Sequence, residues 1–163
     1  MRITHLEKYS LDDIKREMSR LVRDSVGDIQ VRNLADKAVE RVSYLNSDSQ
    51  FIAVNEFVRG TFPYQPDPQD TEMFISPARV ADDYFKGKTH RLDCDDMAML
   101  TTSMLRSIGH RARIVILDTD GLGYNHCITQ AYSPTLNDWI NLDPSSRFPT
   151  GWEESYTKRI IIE

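Results

Sequence analysis

Asp93-Cys94-Asp95-Asp96-Met97-Ala98-Met99-Leu100-Thr101-Thr102-Ser103-Met104-Leu105-Arg106-Ser107-Ile108-Gly109 reads as a helix with a nucleophile at its start. Met97, Leu100, Met104, Leu105 and Ile108 recur at spacings of three and four, with Ala98 between them, which is the stripe of an amphipathic helix. Asp93, Asp95 and Asp96 crowd the positive end of the helix dipole, and Gly109 suits the C-terminal cap. Past Gly109 the period changes to two. Arg111 to Leu117 reads as a strand, residues 118–123 as a turn, and Tyr124 to Tyr132 as a second strand. Trp139 to Asp143 follows as a third strand, stopped by Pro144, and Lys158 to Glu163 offers a final one.

Upstream of the cysteine the chain is helical. Leu11, Ile14, Met18, Leu21 and Val22 follow the candidate N-cap Ser10, and Gly27 breaks that helix. Val31, Leu34, Ala35, Ala38, Val39 and Val42 form a second stripe, and residues 48–59 a third helix that Gly60 ends. These helices carry packing and no visible chemistry. Three prolines within residues 61–70 exclude a helix or central strand, so this stretch is expected as an ordered surface loop. Ser76 and Pro77 open a short helix to Phe85. Helices followed by an antiparallel meander indicate an α+β domain.

The 163 residues suit one domain, here read as residues 1–163 with a helical part at 1–46 and the core at 47–163. Lys and Arg number 20 against 25 Asp and Glu, a net charge of −5, which argues against a nucleic-acid partner. No apolar run reaches the roughly 18 residues of a membrane span, and Met1 to Lys8 shows no secretory signal. A cytoplasmic protein is expected, without a membrane partner.

A thiol at a helix N-terminus is favoured as thiolate by the dipole and by unpaired N–H groups, which can also hold a developing oxyanion. The neighbouring carboxylates oppose that charge, so Cys94 needs a cation nearby, and the imidazolium of His126 is the natural one. If the second and third strands pair, His126 and Asp143 are cross-strand neighbours on the face against which the Cys94 helix packs. Cys94 then attacks, His126 moves the proton and Asp143 fixes the imidazole.

The blocks Asp93 to Leu100, Met104 to Arg113, His126 within a strand, and Trp139-Ile140-Asn141-Leu142-Asp143-Pro144 together resemble the transglutaminase-like superfamily. Tyr64 to Pro68 and Glu72 to Pro77 resemble the segment preceding the cysteine in bacterial and phage members. The resemblance implies a papain-like cysteine fold with catalytic Cys94, His126 and Asp143, and no cofactor. It also implies a peptide or protein substrate. Short chains of this kind are similar to proteins encoded among phage structural genes, which would make the protein virion-associated. Leu92 stands where many members carry glycine, and Cys127-Ile128-Thr129-Gln130 departs from the usual run after the histidine. Gln65 and Tyr64 are the candidates for a side chain completing the oxyanion hole.

The expected activity is acyl transfer on peptide or side-chain amides, with hydrolysis favoured over transamidation. The alternative is a non-catalytic structural or interaction protein that keeps the fold. A Cys94–Cys127 disulfide would exclude the triad, since adjacent strand residues face opposite sides. Cys127 is expected as a buried, inert thiol. No metal is expected, because the histidines show no ligand spacing and a loop starting at Asp118 would place Thr129 at position twelve. His90 and His110 are expected to face solvent, and Trp139 to pack near the site.

Overall fold

Each helix begins where a side chain takes up its first free N–H groups. Ser10 and Asp13 form a reciprocal capping box on α1 (Leu11–Val26), Asp28 caps α2 (Ile29–Val39) and Asn46 caps α3 (Ser47–Thr61). Ser76 caps α4 (Pro77–Phe85), whose first residue is the expected proline, and Asp93 caps α5 (Cys94–Ser107). Gly60 lies within α3 rather than ending it, because its backbone stays out of the positive-φ region that a glycine cap uses, and the helix runs on to Thr61. This computed structural model describes residues 3–6, 10–68 and 71–163, with side chains from residue 10 onward. Residues 1–2 and 7–9, the side chain of His5 and residues 69–70 of the Pro-rich loop lie outside the described residues.

Two sheets are present. β1 (Ile3–Leu6) pairs antiparallel with β2 (Glu72–Ile75), a pairing with no clear sequence signal. The larger sheet holds β3 (Ala112–Asp118), β4 (His126–Ser133), β5 (Asp138–Leu142) and β6 (Lys158–Ile162) in the order β5-β4-β3-β6. The meander is as expected through β5. The final strand then returns across the molecule to pair antiparallel with β3.

The α5 helix is more deeply enclosed than a single stripe predicts. Every residue from Asp96 to Leu105 is buried, because helices cover one side and the large sheet the other. Met97, Leu100, Met104 and Leu105 join Leu34, Phe51, Val54 and Val80 in one apolar cluster. Ala98 and Met99 join Met18, Leu21, Ile114 and Cys127 in a second. Two threonines pin helix to sheet: the hydroxyls of Thr102 and Thr129 lie 3.0 Å apart, and Thr129 Oγ1 donates to the Ala98 carbonyl at 2.9 Å. Met104 is fully buried, and Met104→Ala is expected to cost about 2–5 kcal/mol in chemical denaturation, since the packed surroundings cannot collapse into the cavity. Among the described residues no helix is long and apolar enough to cross a membrane.

Candidate active site

Two element ends meet at the site. Cys94 is the first residue of α5 and His126 the first of β4, and both line a cavity of about 270 Å³. Thr129 pairs with Leu142, which leaves Asp143 one residue beyond β5 and diagonal to His126. His126 Nε2 lies 2.6 Å from Asp143 Oδ2. The aspartate is held in turn: Ser145 Oγ donates to Oδ1 at 2.6 Å, and Arg59 Nη2 from α3 donates to the Asp143 carbonyl at 3.1 Å.

One part of the sequence expectation is corrected. The face of β4 turned to α5 carries Cys127, Thr129 and Ala131, not His126, because small and apolar side chains are what the buried helix accepts. His126 reaches the cavity only because it stands at the strand's start. Cys127 therefore packs in the same apolar cluster as Cys94 rather than turned away from it, yet both thiols are free.

The Pro-rich loop is tied beside the cysteine. Gln65 N–H donates to the Leu92 carbonyl, and Leu92 N–H to the Pro63 carbonyl, both at 2.9 Å. Leu92 is fully buried in the core. Tyr64 lines the Cys94 cavity, whereas Gln65 lines a neighbouring one with Asp67, Arg91 and Asp96. At the helix start, the Asp93 carboxylate accepts from the N–H of Asp96 at 3.0 Å. Among the described residues, the N–H of Cys94 donates to no protein acceptor.

The sequence profile of the transglutaminase-like superfamily matches residues 32–144. The chain belongs to that superfamily. No curated protein sequence matches it. Among solved structures, a candidate protease from Parabacteroides distasonis is similar with a TM-score of 0.55 at 13% identity, over 83% of this chain and 27% of that one. A candidate cysteine protease from Cytophaga hutchinsonii gives 0.54 at 14%, over 86% and 54%. Calcium-bound LapG of Legionella pneumophila gives 0.52 at 22%, over 83% and 75%. This transglutaminase-like chain thus spans about a quarter of the first neighbour and about half of the second. What it shares with them is the papain-like fold, mixed helices and antiparallel sheet.

The electrostatics of this transglutaminase-like site run partly against expectation. Burial, together with the charges of Asp95 and Asp93, pushes the Cys94 thiol well up, and the Cys127 N–H only partly offsets them. The Cys94 thiol donates to Asp95 Oδ1 at 3.7 Å. Burial alone would lower the His126 pKa, but the hydrogen bond and charge of Asp143 outweigh it and hold it above its ordinary value. Asp143 is buried too, yet His126 keeps its carboxylate below the usual range. Both shifts, the thiol upward and the imidazole upward, work against a preformed thiolate.

Protons are also shared among the surrounding carboxyls. Burial and neighbouring negative charge raise Glu72 to about 9 and Asp93 to about 7, while buried Asp96, which accepts the Ile75 N–H at 2.9 Å, is also raised. Asp67, Glu72 and Asp93 offer oxygens within 4.8 Å of one another, a donor set able to hold a cation that sequence spacing does not reveal. Because the folded pKa values of Glu72 and Asp93 exceed those of the unfolded chain, the stability linked to them is present at acid pH. It is lost as pH rises from about 4 through 9. Glu72→Gln is expected to flatten that slope, with a higher Tm at about pH 8, where roughly 2–4 °C corresponds to each kcal/mol. Melts in chelator-containing buffer at acid and alkaline pH read this directly.

Several wall residues carry no local motif. Leu11 and Ile14 of α1 line the cavity, although that helix shows only packing in the sequence. Glu154, from the segment before β6, adds its charge to the field on His126. His90 and His110, expected in solvent, are part-buried: His90 Nε2 lies 2.6 Å from Asp83 Oδ2, and His110 Nε2 2.6 Å from Gln50 Oε1. Trp139 does not line the cavity but stands among Arg111, Arg113 and Tyr132.

Proposed function

We propose that this chain is a cysteine-dependent acyl-transfer enzyme acting on peptide or side-chain amide bonds, with Cys94, His126 and Asp143 as its catalytic residues. The observation that carries the reading is the 2.6 Å His126–Asp143 contact set in the wall of the cavity that also holds Cys94. Membership of the superfamily and the fold shared with candidate cysteine proteases support it. As substrate enters, His126 in its neutral form takes the Cys94 proton while Sγ attacks the carbonyl carbon. The oxyanion accepts from the free N–H of Cys94, with the Tyr64 hydroxyl as the side-chain candidate beside it. His126 then passes its proton to the leaving nitrogen, the amine departs, and a thioester remains on Cys94. Water attacks that thioester with His126 again as base, the C–S bond breaks to release the carboxylic acid, and Sγ takes the proton back from His126. Hydrolysis is the favoured outcome, because water needs no second binding site and an acceptor amine does.

A glutamine-containing peptide library, incubated with and without an added primary amine and read by mass, tests this. Chain cleavage or deamidation is the expected result. Incorporation of the amine would assign transamidation instead. Absence of any mass change, with the protein folded, would favour the non-catalytic reading in which the fold serves a structural or interaction role.

A further inference from the structure

At the other end of α5 a second cavity, of about 400 Å³, is lined by Arg106, His110, Arg111, Arg113, Trp139 and Glu163. Three guanidinium groups face one carboxylate there, in a chain whose net charge is −5. We propose that this cavity binds a carboxylate-bearing peptide segment.

The arginines are held in place, and among the described residues only Arg113 meets a carboxylate, loosely. Arg113 lies 3.8 Å from the centre of the Trp139 ring and donates from Nε to Gln130 Oε1 at 3.0 Å, with its side chain only 12% exposed. Arg111 stacks on Tyr132 at 4.7 Å and lies 5.3 Å from the Trp139 ring. It makes no ion pair among the described residues. Arg106 spends its Nε on the Ala112 carbonyl at 2.8 Å and keeps its terminal nitrogens. Stacking fixes the plane of a guanidinium while leaving its N–H edge available, and that edge matches a carboxylate in two parallel hydrogen bonds.

The cavity already meets a carboxylate. Glu163 Oε1 approaches Arg113 Nη1 at 3.4 Å, a loose contact, and its side chain is 72% exposed. A ligand carboxylate can take the same place at little cost, since an ion pair this exposed contributes little. A nucleic acid fits less well. The Trp139 and Tyr132 rings carry guanidiniums rather than offering bare faces to bases. The 14 residues of α5 place the cavity about 20 Å from Cys94, so an extended segment needs at least about six residues to reach both. Binding here does not depend on the chemistry at Cys94.

Trp139 and Trp152 are the two tryptophans, so Trp139 fluorescence in a Trp152→Phe chain reports on the cavity. A saturable change on titrating acetyl-(Glu)4-amide is expected, weakened about tenfold or more by Arg111→Gln, the loss of one charge-assisted hydrogen bond. Arg111 is exposed, so this variant keeps the fold, and Arg113→Lys, which keeps the charge but not the fork, is expected to weaken binding as well. Cys94→Ala is expected to bind unchanged, which separates this site from the proposed activity. No saturable change, an equal response to acetyl-(Lys)4-amide, or unaltered affinity in Arg111→Gln overturns the proposal. Displacement by inorganic phosphate at lower concentration than the peptide itself overturns it in favour of a phosphate site.

Discussion

Cys94→Ala is expected to remove turnover, lowering kcat by on the order of 10⁴–10⁶-fold, because a nucleophile that acts as one unit with its base cannot be replaced by either partner alone. The fold should survive. The substitution deletes one sulfur from the first residue of α5 and leaves intact the Asp93 cap, the Thr102–Thr129 contact and the apolar clusters on both sides of the helix. Product formation from the peptide library, alongside a thermal melt, separates lost chemistry from lost structure. Cys127→Ala is the control. That thiol is buried and pushed well up by burial, so its removal is expected to leave turnover in place.

Asp143→Asn is expected to lower kcat by about 10²–10⁴-fold, the range in which a positioned acid–base group contributes. It should also move the pH profile. With the imidazole pKa held above 6.5, the resting enzyme must lose a proton before His126 can act as base, so activity rises with pH along a limb lying above 6.5. An asparagine removes the charge that holds the pKa up, burial then dominates, and the limb moves to lower pH while its plateau falls. The same pair has a stability signature. The His126 contribution is complete below its unfolded pKa of about 6.5 and is lost as pH rises through its raised folded value. The Asp143 contribution is present above about 3.9 and is lost as pH falls through its lowered folded value. Both act together between about pH 4 and 6.5, where Asp143→Asn is expected to destabilise most.

Short-range signals were legible wherever one residue type has one local use. Ser76 before Pro77, Asp93 before Cys94, and the change of period after Gly109 mark elements that form where these residues place them. What stayed hidden depends on distant partners. β1 and β2 are four residues each, and their pairing joins the start of the chain to residues 72–75. β6 reads as a strand, but nothing local directs it to β3. Gly60 reads as a stop, yet α3 continues to Thr61.

The candidate site divides in the same way. Cys94, His126 and Asp143 stand out because each sits at or beside an element end, and the structure brings these ends together. Leu11, Ile14 and Glu154 come from segments whose sequence points only to packing or loops, and Glu72 from a block that carries the family resemblance without a role for that carboxyl. The upward push on the thiol was legible only in part: Asp93 and Asp95 stand beside Cys94 in the chain, whereas the burial that contributes most depends on distant partners. His90 and His110 look like surface histidines until Asp83 and Gln50 fold against them.

Alkylation by iodoacetamide, followed separately at Cys94 and Cys127 by mass spectrometry from about pH 5 to 10, tests most directly whether residue 126 is the base for residue 94. The predicted result is faster labelling at Cys94 throughout, rising along the His126 limb, and slowed by His126→Ala. Equal, slow labelling of both sulfurs, governed by an ordinary thiol pKa of about 8.5 and indifferent to His126→Ala, would contradict the account.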